Sequence, residues 1–237
     1  MTRDRVLVWD GCVNVRDLGG LPLEGGGETR FGVAVRADSI GGLTEEGWRA
    51  LRDYGVQSAI DLRADDEVAE DAPRAAPIPV LRAPILPWEI GDLASDWPSM
   101  RVGYLALLEH FRPQFAHAVT AIATADEPIV IHCQGGRDRT GLVVALVLSL
   151  ARVDAETIAA DHALSDENWA PFLEDWFAEA ETAEERERRR RVARPAGRTM
   201  VEILDEVDAR YGGCRAYLSG GGVSKGELDR LVLRLRS

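Results

Sequence analysis

A thiol at the end of an apolar run, with two guanidinium groups just behind it, can do nucleophilic chemistry on an anion. The run is Ile129, Val130, Ile131, His132 and the thiol is Cys133. Gln134, Gly135, Gly136, Arg137, Asp138, Arg139, Thr140 and Gly141 follow before a second apolar stretch begins. A cysteine kept for packing prefers apolar neighbours on both sides, and this one faces two cations. Read as strand, loop and helix, the segment puts Cys133 at the carboxyl end of a strand, where open α/β sheets bind ligands. Gly135 and Gly136 let the backbone turn tightly and point successive N–H groups inward, a concavity suited to an anion. A helix starting near Thr140 aims the positive end of its dipole at the same place. Arg139 offers a planar fork for two phosphate oxygens. Such surroundings favour a thiolate, and a thiolate in a phosphate cradle is a nucleophile aimed at phosphorus.

Expelling an alkoxide or phenoxide from phosphorus also needs a proton, and a positioned acid contributes ~10²–10⁴-fold. Asp138 lies inside the cradle, one residue before Arg139, and is the leading candidate donor. The competing role for it is a pair with Arg137, Arg139 or a backbone N–H. Asp61, then Asp96, are the next candidates, although Asp61 stands before Arg63 and could instead hold that arginine. Arg137 is expected at the pocket rim, within reach of a second phosphate or an acidic peptide flank.

The spacing His132-Cys133, five residues, Arg139-Thr140-Gly141 resembles the signature loop of the cysteine-dependent protein tyrosine phosphatase superfamily. More narrowly, the chain is similar to the bacterial tyrosine/lipid phosphatase family, which includes secreted mycobacterial members. Supporting segments are Asn14 to Gly20, Val35 to Asp38, Ala59 to Arg63 with Glu67, and Tyr211 to Gly213 with Tyr217 and Leu218. The resemblance implies a fold like that of the dual-specificity phosphatases, in a single phosphatase domain over residues 1–237. It implies attack by Cys133 to form a phosphocysteine, with Arg139 holding the equatorial oxygens and Thr140 hydrogen-bonding the departing thiolate. It also implies that His132 orients the loop and favours the thiolate, and that no metal or cofactor is needed. The in-loop position of Asp138 resembles the myotubularin lipid phosphatases. Two departures are visible: relatives often carry Lys where this chain has Arg137, and the tryptophan-proline-aspartate acid loop is absent, Asp96-Trp97-Pro98 having its letters in another order. The implied substrate is a phosphorylated protein, phosphotyrosine first, with phosphoserine, phosphothreonine or a phosphoinositide as alternatives.

Other anion loops fit less well. A nucleotide-binding loop needs a lysine after its second glycine, and none is present. A sulfurtransferase of the rhodanese type also places a cysteine loop at a strand end, but usually a shorter one. Small tyrosine phosphatases and arsenate reductases carry their cysteine near the N-terminus. A non-catalytic phosphate-binding relative would not need both Cys133 and Arg139.

The elements that must hold this loop read as alternating strands and helices. Apolar runs mark strands at Val33–Val35, Val56–Leu62, Val80–Leu86 and Ile129–His132. Thr44 caps a helix that Gly55 stops; a second helix covers Arg101 to Ala125 and breaks near Pro113. The pattern predicts an α/β fold with a central, largely parallel sheet flanked by helices. From Asp154 the chain reads as all helical: one segment to about Ser165, another opening at Asp166 or Asn168. A charge run over 184–194 reads as a solvated helix face, and Ser224 with Glu227 makes a capping box.

Composition narrows the class. The hydrophobic share of 46% suits a core without disulfides. Three cysteines, Cys12, Cys133 and Cys214, are too scattered for a disulfide framework, and with no signal peptide in view they point to a reducing, cytoplasmic setting. Cys12 and Cys214 lack the anion-loop context and read as structural, and His110, His117 and His162 as ordinary histidines. No run is long enough for a membrane span. The net charge of −12 disfavours nucleic acid as a partner, so an anionic substrate needs a local positive site. The oligomeric state is not legible.

Overall fold

A computed structural model describes residues 4–69, 76–85, 98–126, 128–196 and 198–236. Asp96 and Leu86, the end of the expected Val80–Leu86 run, therefore lie outside the described residues. Five strands, β1 (Arg16–Asp17), β2 (Ala34–Ala37), β3 (Ser58–Asp61), β4 (Val80–Arg82) and β5 (Ile129–His132), form one sheet in the order β1-β2-β5-β3-β4. β1 pairs antiparallel with β2, and the other pairs are parallel. The largely parallel sheet matches the expectation. β1 was not expected, because two charged residues carry no apolar period.

Successive strand residues feed two cores. Ala34, Ile60, Ile129 and Ile131 join a large cluster on one face; Val35, Ala37, Ala59 and Val130 join a smaller one on the other. With both faces covered, the strands read as unbroken apolar runs. The smaller core is closed by Trp9 and by Trp48 and Leu51 of α1 (Glu45–Tyr54), capped by Thr44 and ended by Gly55 as expected. The larger is covered by α3 (Met100–His110), α4 (Arg112–Thr124) and α5 (Asp138–Leu150), α2 being Asp65–Ala69. In α5 every residue from Thr140 to Leu148 is buried, as an all-round apolar helix requires.

The helical C-terminal part comprises α6 (Ala155–Ala178), α7 (Ala183–Val192), α8 (Thr199–Tyr211), α9 (Cys214–Gly220) and α10 (Lys225–Leu235), the last opened by the expected Ser224–Glu227 capping box. One expectation fails: α6 does not break at Asp166 or Asn168 and even includes Pro171. Asp166 is not a cap. Its carboxylate accepts from Ala196 N at 2.9 Å and faces Arg137 Nη1 at 3.4 Å. The charge run in α7 forms a solvated face as expected, with no residue from Ala183 to Arg191 buried, and Arg189 and Arg190 lie over the rings of Trp176 and Phe177. Among the described residues, no helix is long and apolar enough to cross a membrane.

The register brings the strand ends level. Ala37 and Asp61 both stand opposite His132, so Asp38, Leu62 and Cys133 leave the sheet side by side.

Candidate active site

The loop after β5 is held from outside by its carbonyls. Gln134 O accepts from Ser39 N at 3.0 Å. Gly135 O accepts from Asn14 Nδ2 at 3.0 Å and Trp169 Nε1 at 2.7 Å. Gly136 O accepts from Arg36 Nη2 at 2.8 Å. A trans peptide points its C=O and N–H in opposite directions, so tying three successive carbonyls outward turns the N–H groups of the next residues to the inner side. Gly136 is left-handed at φ +64°, and a Cβ there would stand 2.4 Å from Ala37 O, so a side chain is excluded. Gln134 contributes backbone; its side chain is exposed.

Cys133 is 3% exposed and joins the larger core. Thr140, in the first turn of α5, is fully buried, and its hydroxyl has no partner among the described residues. An unpaired buried hydroxyl costs about 1–3 kcal/mol, so its retention calls for a role. Gly141 serves packing: a Cβ would meet His162 Nδ1 at 2.4 Å, so its absence lets α6 approach α5.

Arg139 is held in a fork-to-fork pair, Nη1 to Glu67 Oε2 at 2.5 Å and Nη2 to Oε1 at 2.6 Å. Burial alone would raise the proton affinity of Glu67, but the hydrogen bonds and charge of Arg139 outweigh it and hold the carboxyl below its ordinary value. Ala64 N also donates to Glu67 Oε2, so α2 fixes the carboxylate that fixes the arginine.

Asp138 opens α5. Its Oδ1 accepts from Tyr104 Oη at 2.6 Å and Arg137 Nε at 3.2 Å. Burial pushes its proton affinity up, yet the Arg137 charge and the Tyr104 hydrogen bond bring it below the ordinary value, so Asp138 is a carboxylate. Arg137 is not at the rim. It is 8% exposed, between Asp138 and Asp166 with Met100 Sδ 4.0 Å away, because α6 brings the Asp166 carboxylate against it.

Asp61 is 2% exposed and engaged by its neighbours: Arg63 donates from its backbone N, Nε and Nη2, and Arg82 Nη1 lies at 2.7 Å. It holds Arg63, the alternative open in the sequence. His132 is fully buried, with Nδ1 3.4 Å from Cys133 O and Nε2 3.9 Å from Asp61 Oδ2. Burial lowers its pKa to about 4, so at neutral pH it carries no charge with which to favour a thiolate. Burial pushes the Cys12 thiol far up and the Cys214 thiol to about 11.

A buried charge cluster, unread in the sequence, backs the loop. Asp161 of α6 pairs with Arg5 at 2.5 Å, Arg16 at 3.1 Å and Arg36 at 2.8 Å. Arg16 Nη1 also donates to Asn14 Oδ1, and Ser165 Oγ accepts from both Arg16 and Arg36. Burial would favour a protonated Asp161, but Arg16, Arg36 and Arg5 keep it far below the usual carboxylate range. Three guanidiniums share this one carboxylate behind the loop, so the cluster itself carries more positive than negative charge. The only hint in sequence was an arginine inside a short apolar strand, Arg36. Tyr104 and Trp169 gave no hint beyond apolar helix positions.

A model of the tyrosine phosphatase family matches residues 7–237. A tyrosine-protein phosphatase of Nostoc commune is 31% identical over 85% of this chain and 73% of its own length. The triple specificity protein phosphatase PtpB of Mycobacterium tuberculosis is 26% identical over 85% of this chain and 90% of its own. A putative tyrosine-protein phosphatase of Cupriavidus necator is 28% identical over 70% and 65%.

Proposed function

The chain belongs to the tyrosine phosphatase family, and on that footing we propose that it hydrolyses phosphate monoesters, phosphotyrosine in proteins first, through a phosphocysteine at Cys133. The observation that carries this reading is the set of three outward-tied carbonyls at Gln134, Gly135 and Gly136, which leaves a row of donors facing inward beside Cys133 and Arg139.

In the first step the Cys133 thiolate attacks phosphorus; the P–S bond forms as the ester P–O bond breaks. The leaving oxygen takes a proton from Asp138. That residue is ionised before substrate binds; the negative charge of bound phosphate beside it raises its proton affinity, so it takes up a proton from solvent and passes it to the leaving oxygen. The loop N–H groups and Arg139 stabilise the charge on the equatorial oxygens. In the second step water attacks phosphorus and gives a proton to the Asp138 carboxylate. The P–S bond breaks, the thiolate accepts a hydrogen bond from Thr140, and inorganic phosphate leaves.

Burial of Arg137 between two carboxylates weakens the case for a second-phosphate site on that side chain. The Mycobacterium tuberculosis relative is named for triple specificity, so breadth is tested directly: kcat/KM on a phosphotyrosine peptide, a phosphoserine peptide and a phosphoinositide, with phosphotyrosine expected fastest. Cys133→Ser should abolish turnover of all three while phosphate-ester binding persists. Activity within about tenfold of the parent, against the ~10²–10⁴-fold that even a single acid contributes, contradicts the covalent route.

A further inference from the structure

The hydrogen bonds to Asp138 fall on one oxygen. Tyr104, fully buried on α3, donates to Oδ1, and Arg137 Nε reaches the same atom. Among the described residues nothing bonds Oδ2, and the side chain remains 38% exposed. Behind Tyr104 stands His162 of α6, 1% exposed, with Nε2 3.3 Å from Tyr104 Oη and the two rings edge to face at 5.8 Å.

The direction of the hydrogens follows from the surroundings. Burial and the charge of Arg36 lower the His162 pKa to about 3, so the ring carries one proton at neutral pH. Its Nδ1 lies against Gly141 with no partner among the described residues. A proton there would be a buried donor facing carbon, so the proton belongs on Nε2. His162 then donates to the Tyr104 oxygen, and the single phenol proton goes to Asp138.

We propose that Tyr104, oriented by His162, is a positioning residue that anchors Oδ1 of Asp138 and leaves Oδ2 turned to the leaving group. The proposal rests on the reading of Asp138 as proton donor. Its observations are independent of sequence spacing: three side chains from α3, α5 and α6 meet in one chain of hydrogen bonds at the cradle.

The bond has a second consequence. It stabilises the carboxylate form of Asp138, so its removal raises the proton affinity of that group. The other groups around Asp138 are Arg137 and Arg139 from its own segment and His162 from α6, with Asp166 of α6 on the far side of Arg137. Arg36 and Asp161 stand behind His162. None of these is removed with the Tyr104 hydroxyl.

The test compares the full-length protein with Tyr104→Phe, His162→Leu and His162→Gln on phenyl phosphate and para-nitrophenyl phosphate across pH. Tyr104→Phe should slow phenyl phosphate about 10–10²-fold, a share of the whole acid contribution. The para-nitrophenyl ester, which needs little protonation, should slow less than about threefold, and the alkaline limb of the pH–rate profile should move to higher pH. His162→Leu should do the same, whereas His162→Gln, whose amide can donate from the Nε2 position, should restore the phenyl phosphate rate. A residue that merely supports the fold would slow both esters alike without moving the limb, and that result overturns the proposal. Asp138→Asn separates the two levels. If it does not discriminate the esters, the donor reading itself fails; if it does and Tyr104→Phe does not, only the positioning role fails. Should Tyr104→Phe not fold, the contrast between Leu and Gln at position 162 is read in the same way: a difference supports the role, equal rates reject it.

Discussion

Two arginine–carboxylate clusters stand on either side of the same loop and do opposite things. On the outer side Arg16, Arg36 and Asp161 are each about 1% exposed in their side chains, with hydrogen bonds running back to Ser165, Asn14 and the loop carbonyl of Gly136. On the inner side the Arg139–Glu67 pair is 12% and 27% exposed. The chemistry of the groups is alike; access to solvent is not. A closed cluster is scaffold, fixing where the loop carbonyls point. On the proposed mechanism, a half-open one exchanges part of its bonding for a phosphate while keeping its orientation, as transition-state stabilisation requires.

The clusters should therefore fail differently when broken. Arg139→Lys keeps a charge but loses the fork, and kcat should fall about 10²–10³-fold with little change in melting temperature. An equal loss of stability would erase the distinction. Asp161→Asn should behave in the opposite way. Breaking a buried ion pair by removing one partner costs about 3–5 kcal/mol, measurable in urea unfolding, and the folded fraction should keep more activity than Arg139→Lys does.

The division between what was legible and what was not follows the same line. The inner side lies mostly in one contiguous stretch, Cys133 to Gly141, where residue type and spacing carry the chemistry directly. The sheet and most helices were legible because apolar runs and caps are local signals. The outer side is assembled from residues far apart in sequence: Asn14, Arg16, Arg36, Asp161 and Trp169 meet through packing. The pairing of Asp166 with Arg137 was hidden for that reason too, since Asp166 in isolation reads as a helix cap. The neutral state of His132 comes from burial, and no motif announces it.

Glu67→Gln sharpens the comparison on a smaller scale. It keeps a hydrogen-bonding group beside Arg139 but removes the charge, and a less firmly held fork should lower kcat up to about 10²-fold. An unchanged kcat would mean that the loop, and not α2, orients Arg139.

The two buried histidines also predict a pH dependence of stability. His132 and His162 have folded pKa values lowered to about 4 and about 3, while in the unfolded chain each titrates at ~6.5. Below that pH the unfolded state binds more protons, so stability should decline as pH falls from ~6.5 toward 4, before most carboxylates titrate. Thermal melts at neutral and mildly acidic pH read this out. A flat melting temperature over that interval contradicts the assignment of two buried neutral histidines.

The central claim is that chemistry passes through sulfur at Cys133. The most direct measurement is an acid quench during turnover of para-nitrophenyl phosphate by Asp138→Asn, whose second step lacks its base, followed by digestion and mass spectrometry. The account predicts phosphate on the peptide containing Cys133 and on no other cysteine. Phosphate on a different residue, or continued product formation with no phosphorylated peptide at any time, would contradict it.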